Sequence, residues 1–171
     1  MGARFALELT APDPGFLGFV RPEPFLHGKY QGRELSISAP GRGLQNTRQT
    51  ETVLKIALKN TDLELEIAGA GLISRMGQRG NRNRKRWYSG DPAFDAALDV
   101  RTNDGVRLAG RWAPQMQQML RELLVKSSAR LYLGNGVMAL TRPGLLANDE
   151  GREYFESAVE GLALLAEFLE D

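Results

Sequence analysis

The chain has 171 residues, 42% hydrophobic and 25% charged, with 22 basic and 21 acidic side chains and a net charge of +1. A chain of about 150 residues buries roughly 70% of the surface its unfolded form exposes, so one domain with a sizeable core needs no crosslink. The lack of cysteine excludes disulfides, thiol catalysis and thiolate metal sites, and no apolar run approaches the ~20 residues that span a bilayer.

Nineteen glycines favour a turn-rich fold over a helical bundle. The start, Met1 to Ala6, fits neither a secretory leader nor a myristoylation signal, so a cytoplasmic location is expected. Phe5, Leu7 and Leu9 alternate with polar or small residues, the period of a half-buried strand, and Pro12 and Pro14 end it. Gly15–Val20 reads as a second short strand. A turn near Gly32 precedes a strand over Arg33–Ser38, and Pro40 to Gln49 is a polar loop. Thr50–Lys59 is the clearest strand by composition, with Leu54, Ile56 and Leu58 on one face. Leu63, Leu65 and Ile67 alternate after it, so the two runs read as a hairpin closed by Asn60–Asp62. Gly69 to Ser74 resembles a dinucleotide fingerprint without its last glycine. The strand before it alternates and no amphipathic helix follows, so no nucleotide cofactor is expected.

Six basic residues and no acidic one lie between Glu66 and Asp91, whereas the last 23 residues carry eight acids against Arg152. This asymmetry points to an internal match or to an anionic partner. Arg75 to Arg86 holds almost nothing apolar and reads as a mobile loop. Trp87 and Tyr88 then anchor the chain. In Gly90-Asp91-Pro92, Asp91 is placed to cap a short helix that Pro92 opens, with Phe94 and Leu98 on one face. Asp99 to Thr102 reads as extended and Asn103-Asp104-Gly105 as a turn. Pro114 opens a second helix, where Met116, Met119, Leu120, Leu123 and Leu124 form an apolar stripe. Arg130–Leu133 and Val137–Thr141 form a hairpin around Asn135-Gly136. Asn148 or Asp149 caps a last helix whose stripe runs from Phe155 to Leu169, with Gly161 inside it to allow close packing. The whole is a single α+β domain over residues 1–171: a mostly antiparallel sheet in the N-terminal half, then short helix, strand, helix, hairpin and helix.

Gly90-Asp91-Pro92-Ala93-Phe94-Asp95, with Gly28-Lys29-Tyr30-Gln31-Gly32-Arg33-Glu34-Leu35 upstream, resembles a widespread family of uncharacterised bacterial proteins. That family is marked by a central Gly-Asp-x-x-Phe-Asp and an upstream Gly-x-Tyr-x-Gly-Arg. Ala97-Leu98-Asp99-Val100 replaces the Phe-x-Val that follows in the family. The resemblance covers about residues 26–169 and implies strands followed by a helix, a hairpin and a final helix. It implies no reaction.

Function is read mainly from the basic stretch. Arg75, Arg79, Arg82, Arg84, Lys85 and Arg86 beside Trp87 and Tyr88 are the residue types that hold phosphates and stack bases, in RNA or single strands. The plain alternative is a solvated loop, or one that pairs with the acidic last helix. Asp91, Asp95, Asp99 and Asp104 lack the spacing of a calcium loop, and the lone His27 has no partner set for a zinc site or a catalytic triad. No cofactor, metal or catalytic residue is therefore assigned. The reading favoured is a non-enzymatic interaction or accessory module that binds a protein partner. Nucleic-acid binding through residues 75–88 is its rival, and a carboxylate-based hydrolase ranks third.

Overall fold

The computed structural model describes residues 8–10, 25–39, 51–59, 61–70, 83–144 and 149–170. Within them nine strands form one antiparallel sheet: β1 (Glu8–Thr10), β2 (Phe25–Tyr30), β3 (Arg33–Ser38), β4 (Glu51–Ala57), β5 (Leu65–Gly69), β6 (Lys85–Trp87), β7 (Leu98–Thr102), β8 (Arg130–Gly134) and β9 (Val137–Pro143). Their spatial order is β1-β2-β3-β4-β9-β8-β5-β7-β6. The helices are α1 (Pro92–Ala97), α2 (Gly105–Arg111), α3 (Pro114–Leu124) and α4 (Asp149–Leu169). The fold is α+β with an antiparallel sheet, as the alternation and helix stripes require.

Side chains of a strand alternate between faces, and the apolar set of each central strand lands on one side. Leu35 and Ile37, Leu54 and Ile56, Leu65 and Ile67, Leu131 and Leu133, and Met138 and Leu140 are all buried in one core with the helix stripes. The turns that set register carry positive φ at both central positions: Gln31 (+50°) with Gly32 (+74°), and Asn135 (+53°) with Gly136 (+70°). That is the geometry of two-residue hairpins whose twist matches their strands.

The expected hairpin between Thr50–Lys59 and Leu63–Ile67 does not form. β9 pairs with β4, and β8 pairs with β5, so the β8–β9 hairpin lies between the two strands. The link from β4 to β5 passes over that hairpin's turn, where the Leu58 amide donates to the Gly136 carbonyl at 2.8 Å. Three ladder spacings are only about 14 Å, which the chain from Ala57 to Leu65 spans easily. Asn103-Asp104-Gly105 also differs from expectation: it starts a helix, with the Asp104 side chain accepting from the Arg107 amide at 3.0 Å. Gly15–Val20, the loop over 40–49, Gly71–Arg82 and Asn148 fall outside the described residues.

In α3, Met116, Leu120, Leu123 and Leu124 are buried. In α4 the buried stripe includes Phe155, Ala158, Val159, Leu162, Leu165, Ala166 and Leu169, as its period predicts. Gly161 faces α3, and a Cβ there would lie 3.1 Å from both Met119 Sδ and Leu123 Cδ1. Bulk at this position forces the helices apart. Gly161→Leu is expected to cost about 2–3 kcal/mol by overpacking, measured as a lowered urea midpoint. An unchanged midpoint would show that α3 and α4 do not meet at this glycine.

Candidate functional site

The Gly90–Asp95 motif builds a corner. Gly90 turns the chain with φ +86°. The Asp91 carboxylate accepts from the amides of Ala93 (2.8 Å) and Phe94 (3.3 Å), two of the donors a helix start leaves without partners. Asp95 accepts from the amide and hydroxyl of Ser89, each at 2.9 Å, and Ser89 Oγ accepts from the Asp91 amide. Phe94 is fully buried and meets Trp112 edge-on at 5.5 Å, and Trp112 meets Trp87 at 4.8 Å. With its amide oriented to suit its neighbours, Gln117 accepts from Trp112 Nε1 at 2.9 Å and donates to Asp91 Oδ2 at 3.2 Å. Asp99 lies on β7 beside Arg101, and Asp104 caps α2. All four aspartates are engaged in folding contacts. Among the described residues no three His, Asp or Glu side chains converge as a metal would require.

This corner fixes β6 at one edge of the sheet. The end of the stretch expected as a loop over 75–86 is strand instead, because Lys85 and Arg86 pair with Thr102 and Arg101 of β7. Arg75, Arg79 and Arg82 lie outside the described residues. Alternation sends Trp87 toward the core and Arg84 and Arg86 to the outer sheet face. There a cross-strand row runs Arg86, Arg101, Glu66, Tyr132, Ala139, Lys55. Arg84 lies against this row with only 6% of its side chain exposed, its guanidinium 4.8 Å from the Tyr132 ring centroid. Its Nη1 is 3.5 Å from Glu66 and its Nε 3.9 Å from Glu64, yet neither nitrogen makes a hydrogen bond. Arg86 lies 4.0 Å from Asp99 and covers the Tyr88 ring at 4.9 Å. Two of the predicted cations therefore face carboxylates of β5 and β7. Lys85 and Tyr88 stay exposed, Tyr88 by 63%. His27 is exposed on β2.

The acid of the last helix goes elsewhere. Glu170 accepts both guanidinium nitrogens of Arg33, one of them at 2.8 Å, and the Lys59 amide at 2.6 Å, while its carbonyl accepts from Arg111. The bond from Arg33 holds the Glu170 carboxyl below the usual Glu range, and the same bond holds Arg33 above its ordinary value. Sequence reasoning quoted Arg33 in a motif without giving it this partner, because the pairing spans almost the whole chain.

A second feature has no sequence signature. An open cleft of about 470 Å³ lies between the end of α3, β9 and the first turns of α4. Met119 and Leu123 give it an apolar side, and Lys126, Glu122, Glu150 and Glu153 line it too. The Leu123 carbonyl accepts from the hydroxyls of Ser127 and Tyr154, and Arg142 covers the Tyr154 ring at 4.5 Å. Burial pushes the Tyr154 phenol above its ordinary pKa. The Ser127 and Tyr154 hydroxyls that line it are already bonded to backbone.

No family model matches the chain, and no curated protein matches it in sequence. One solved structure shares the fold: the mycobacterial trehalose monomycolate transport factor A, TtfA, at TM-score 0.65 and 10% identity, over 98% of this chain and 89% of that one.

Two outcomes follow from the charges. Arg84→Glu sets a third carboxylate beside Glu64 and Glu66 and is expected to cost about 3 kcal/mol, read by urea unfolding; a fully solvated arginine would show almost no change. For Glu170, the lowered folded pKa means that its contribution is complete above the ordinary Glu range and fades as pH falls through the folded value. Wild type and Glu170→Gln should therefore differ by about 2 kcal/mol near pH 7 and converge as pH falls below the lowered folded value.

Proposed function

We propose that this chain is a non-enzymatic accessory module that binds a protein partner. One observation carries the reading: the aspartates best suited to acid–base work are bound into helix caps and ion pairs. Asp91, Asp95 and Asp104 accept from backbone amides, and Asp99 is buried between Arg86 and Arg101. A carboxylate held this way is fixed by the fold, whereas general acid–base catalysis needs one free to reach substrate. The fold shared with a protein named as a transport factor supports an accessory role by analogy of architecture. We also propose membership of the bacterial family that the Gly90–Asp95 and Gly28–Leu35 motifs resemble. A cysteine-free chain suits a reducing compartment, and the cytoplasm is the proposed location. Among the described residues no helix is long and apolar enough to cross a membrane.

The second reading, RNA or single-strand binding, is favoured by the exposed Lys85 and by Tyr88 with Arg86 on its ring. Against it, Arg84 and Arg86 face carboxylates on the same sheet surface, and those carboxylates repel a phosphate backbone. A pull-down from source-cell extract, with and without nuclease, separates the two. A protein retained after nuclease treatment is the expected result. Recovery that disappears with nuclease, together with Trp quenching by oligouridylate that weakens as salt is raised, would favour nucleic acid.

A further inference from the structure

We propose that edge strand β6 accepts an acidic, extended segment of the partner protein as an added strand of the sheet. This rests on the protein-partner reading above and names the partner's chemistry and mode of binding.

β6 closes one end of the strand order, with β7 on its inner side and, among the described residues, no strand on the other. In an antiparallel pair, alternate residues turn their N–H and C=O groups away from the partner, so an edge strand offers a ready template. β6 is also held in place. Trp87 is wedged against Trp112, and a Cβ at Gly105 would sit 3.0 Å from Trp87 Cδ1, so a side chain there would press on the indole. A rigid edge loses little order on accepting a strand, which favours binding by strand addition.

Charge selects the occupant. Lys85 is exposed on this strand and forms no ion pair among the described residues. Arg86 beside it keeps 43% of its side chain exposed. A second copy of the chain fits poorly, because antiparallel pairing of β6 with itself sets Lys85 and Arg86 against like charges, which destabilises a sheet. An extended acidic peptide satisfies the backbone groups and the cations together. A nucleic acid satisfies only the cations and leaves the backbone groups of the edge unpaired.

The test uses the full chain and fluorescent peptides in an anisotropy titration. The probe is blocked Glu-Val-Glu-Val-Glu-Val, compared with the same peptide N-methylated at alternate residues, with its Lys-Val counterpart, and with oligouridylate. The acidic peptide should bind and protect amides of Lys85–Trp87 from hydrogen exchange. Both control peptides, and Lys85→Glu protein with the acidic peptide, should bind at least about tenfold more weakly. Equal binding of the N-methylated peptide would reduce the effect to charge alone and overturn the proposal. Preference for oligouridylate, or no binding of the acidic peptide, would overturn it too. The pull-down keeps the two readings apart: a nuclease-resistant partner captured equally by wild type and Lys85→Glu sinks the edge site alone, whereas capture of no protein sinks the partner reading.

Discussion

The ladder between β4 and β9 holds the sheet together. It runs over seven residue pairs, from Glu51 opposite Pro143 to Ala57 opposite Val137. On one side of it lie β1, β2 and β3, and on the other β8, β5, β7 and β6. The β8–β9 hairpin forms locally around Asn135-Gly136, but its docking on β4 joins residues about half the chain apart. Such pairing costs loop-closure entropy before any contact rewards it. The apolar stripe of α4 then packs over the junction, and Glu170 returns to Arg33 on β3 and to the Lys59 amide after β4. The end of the chain thereby ties the last helix to the first half of the sheet.

The two motifs that stand out in the sequence are explained by this framework. Gly32 gives the positive φ that a tight hairpin needs, Leu35 enters the core, and Arg33 reaches Glu170. In the second motif Gly90 turns the chain, Asp91 caps α1, Phe94 fills the core and Asp95 holds Ser89. Motif residues with so complete a structural role leave little for chemistry. The corner fixes Trp87 against Trp112, and Trp87 sets where this edge of the sheet lies.

Much of this was legible where the controlling interactions are local. Asn135-Gly136, the Asp91-Pro92 helix start and the 3.6-residue stripes of α3 and α4 each act within a few residues, so composition and period reveal them. Pairing between distant strands is different. Leu54, Ile56, Leu65 and Ile67 show that β4 and β5 share a buried face, yet nothing local says that two later strands come between them. Helix α2 was hidden because Gly105 and Gly110 lower its propensity and Leu108 is its one buried residue. For the basic stretch, counting charges pointed to a solvated loop. Period-2 alternation, with Trp87 on one face and Arg84 and Arg86 on the other, was the signal that a strand had begun. The carboxylates that face those arginines lie on β5 and β7, where sequence alone cannot pair them.

Those carboxylates decide what the outer face can bind. An arginine with 6% of its side chain exposed is stable only if something replaces the water it lost. Tyr132 covers the Arg84 guanidinium, and Glu64 and Glu66 supply the opposite charge without a well-aligned hydrogen bond. Removing that cation would leave two carboxylates close together, so the sheet holds Arg84 by charge and ring contact. Arg86 is held less firmly, with 43% of its side chain exposed beside the buried Asp99. Among the described residues of β6, Lys85 and the exposed side of Arg86 therefore carry the positive charge at this edge, one on each face of the strand.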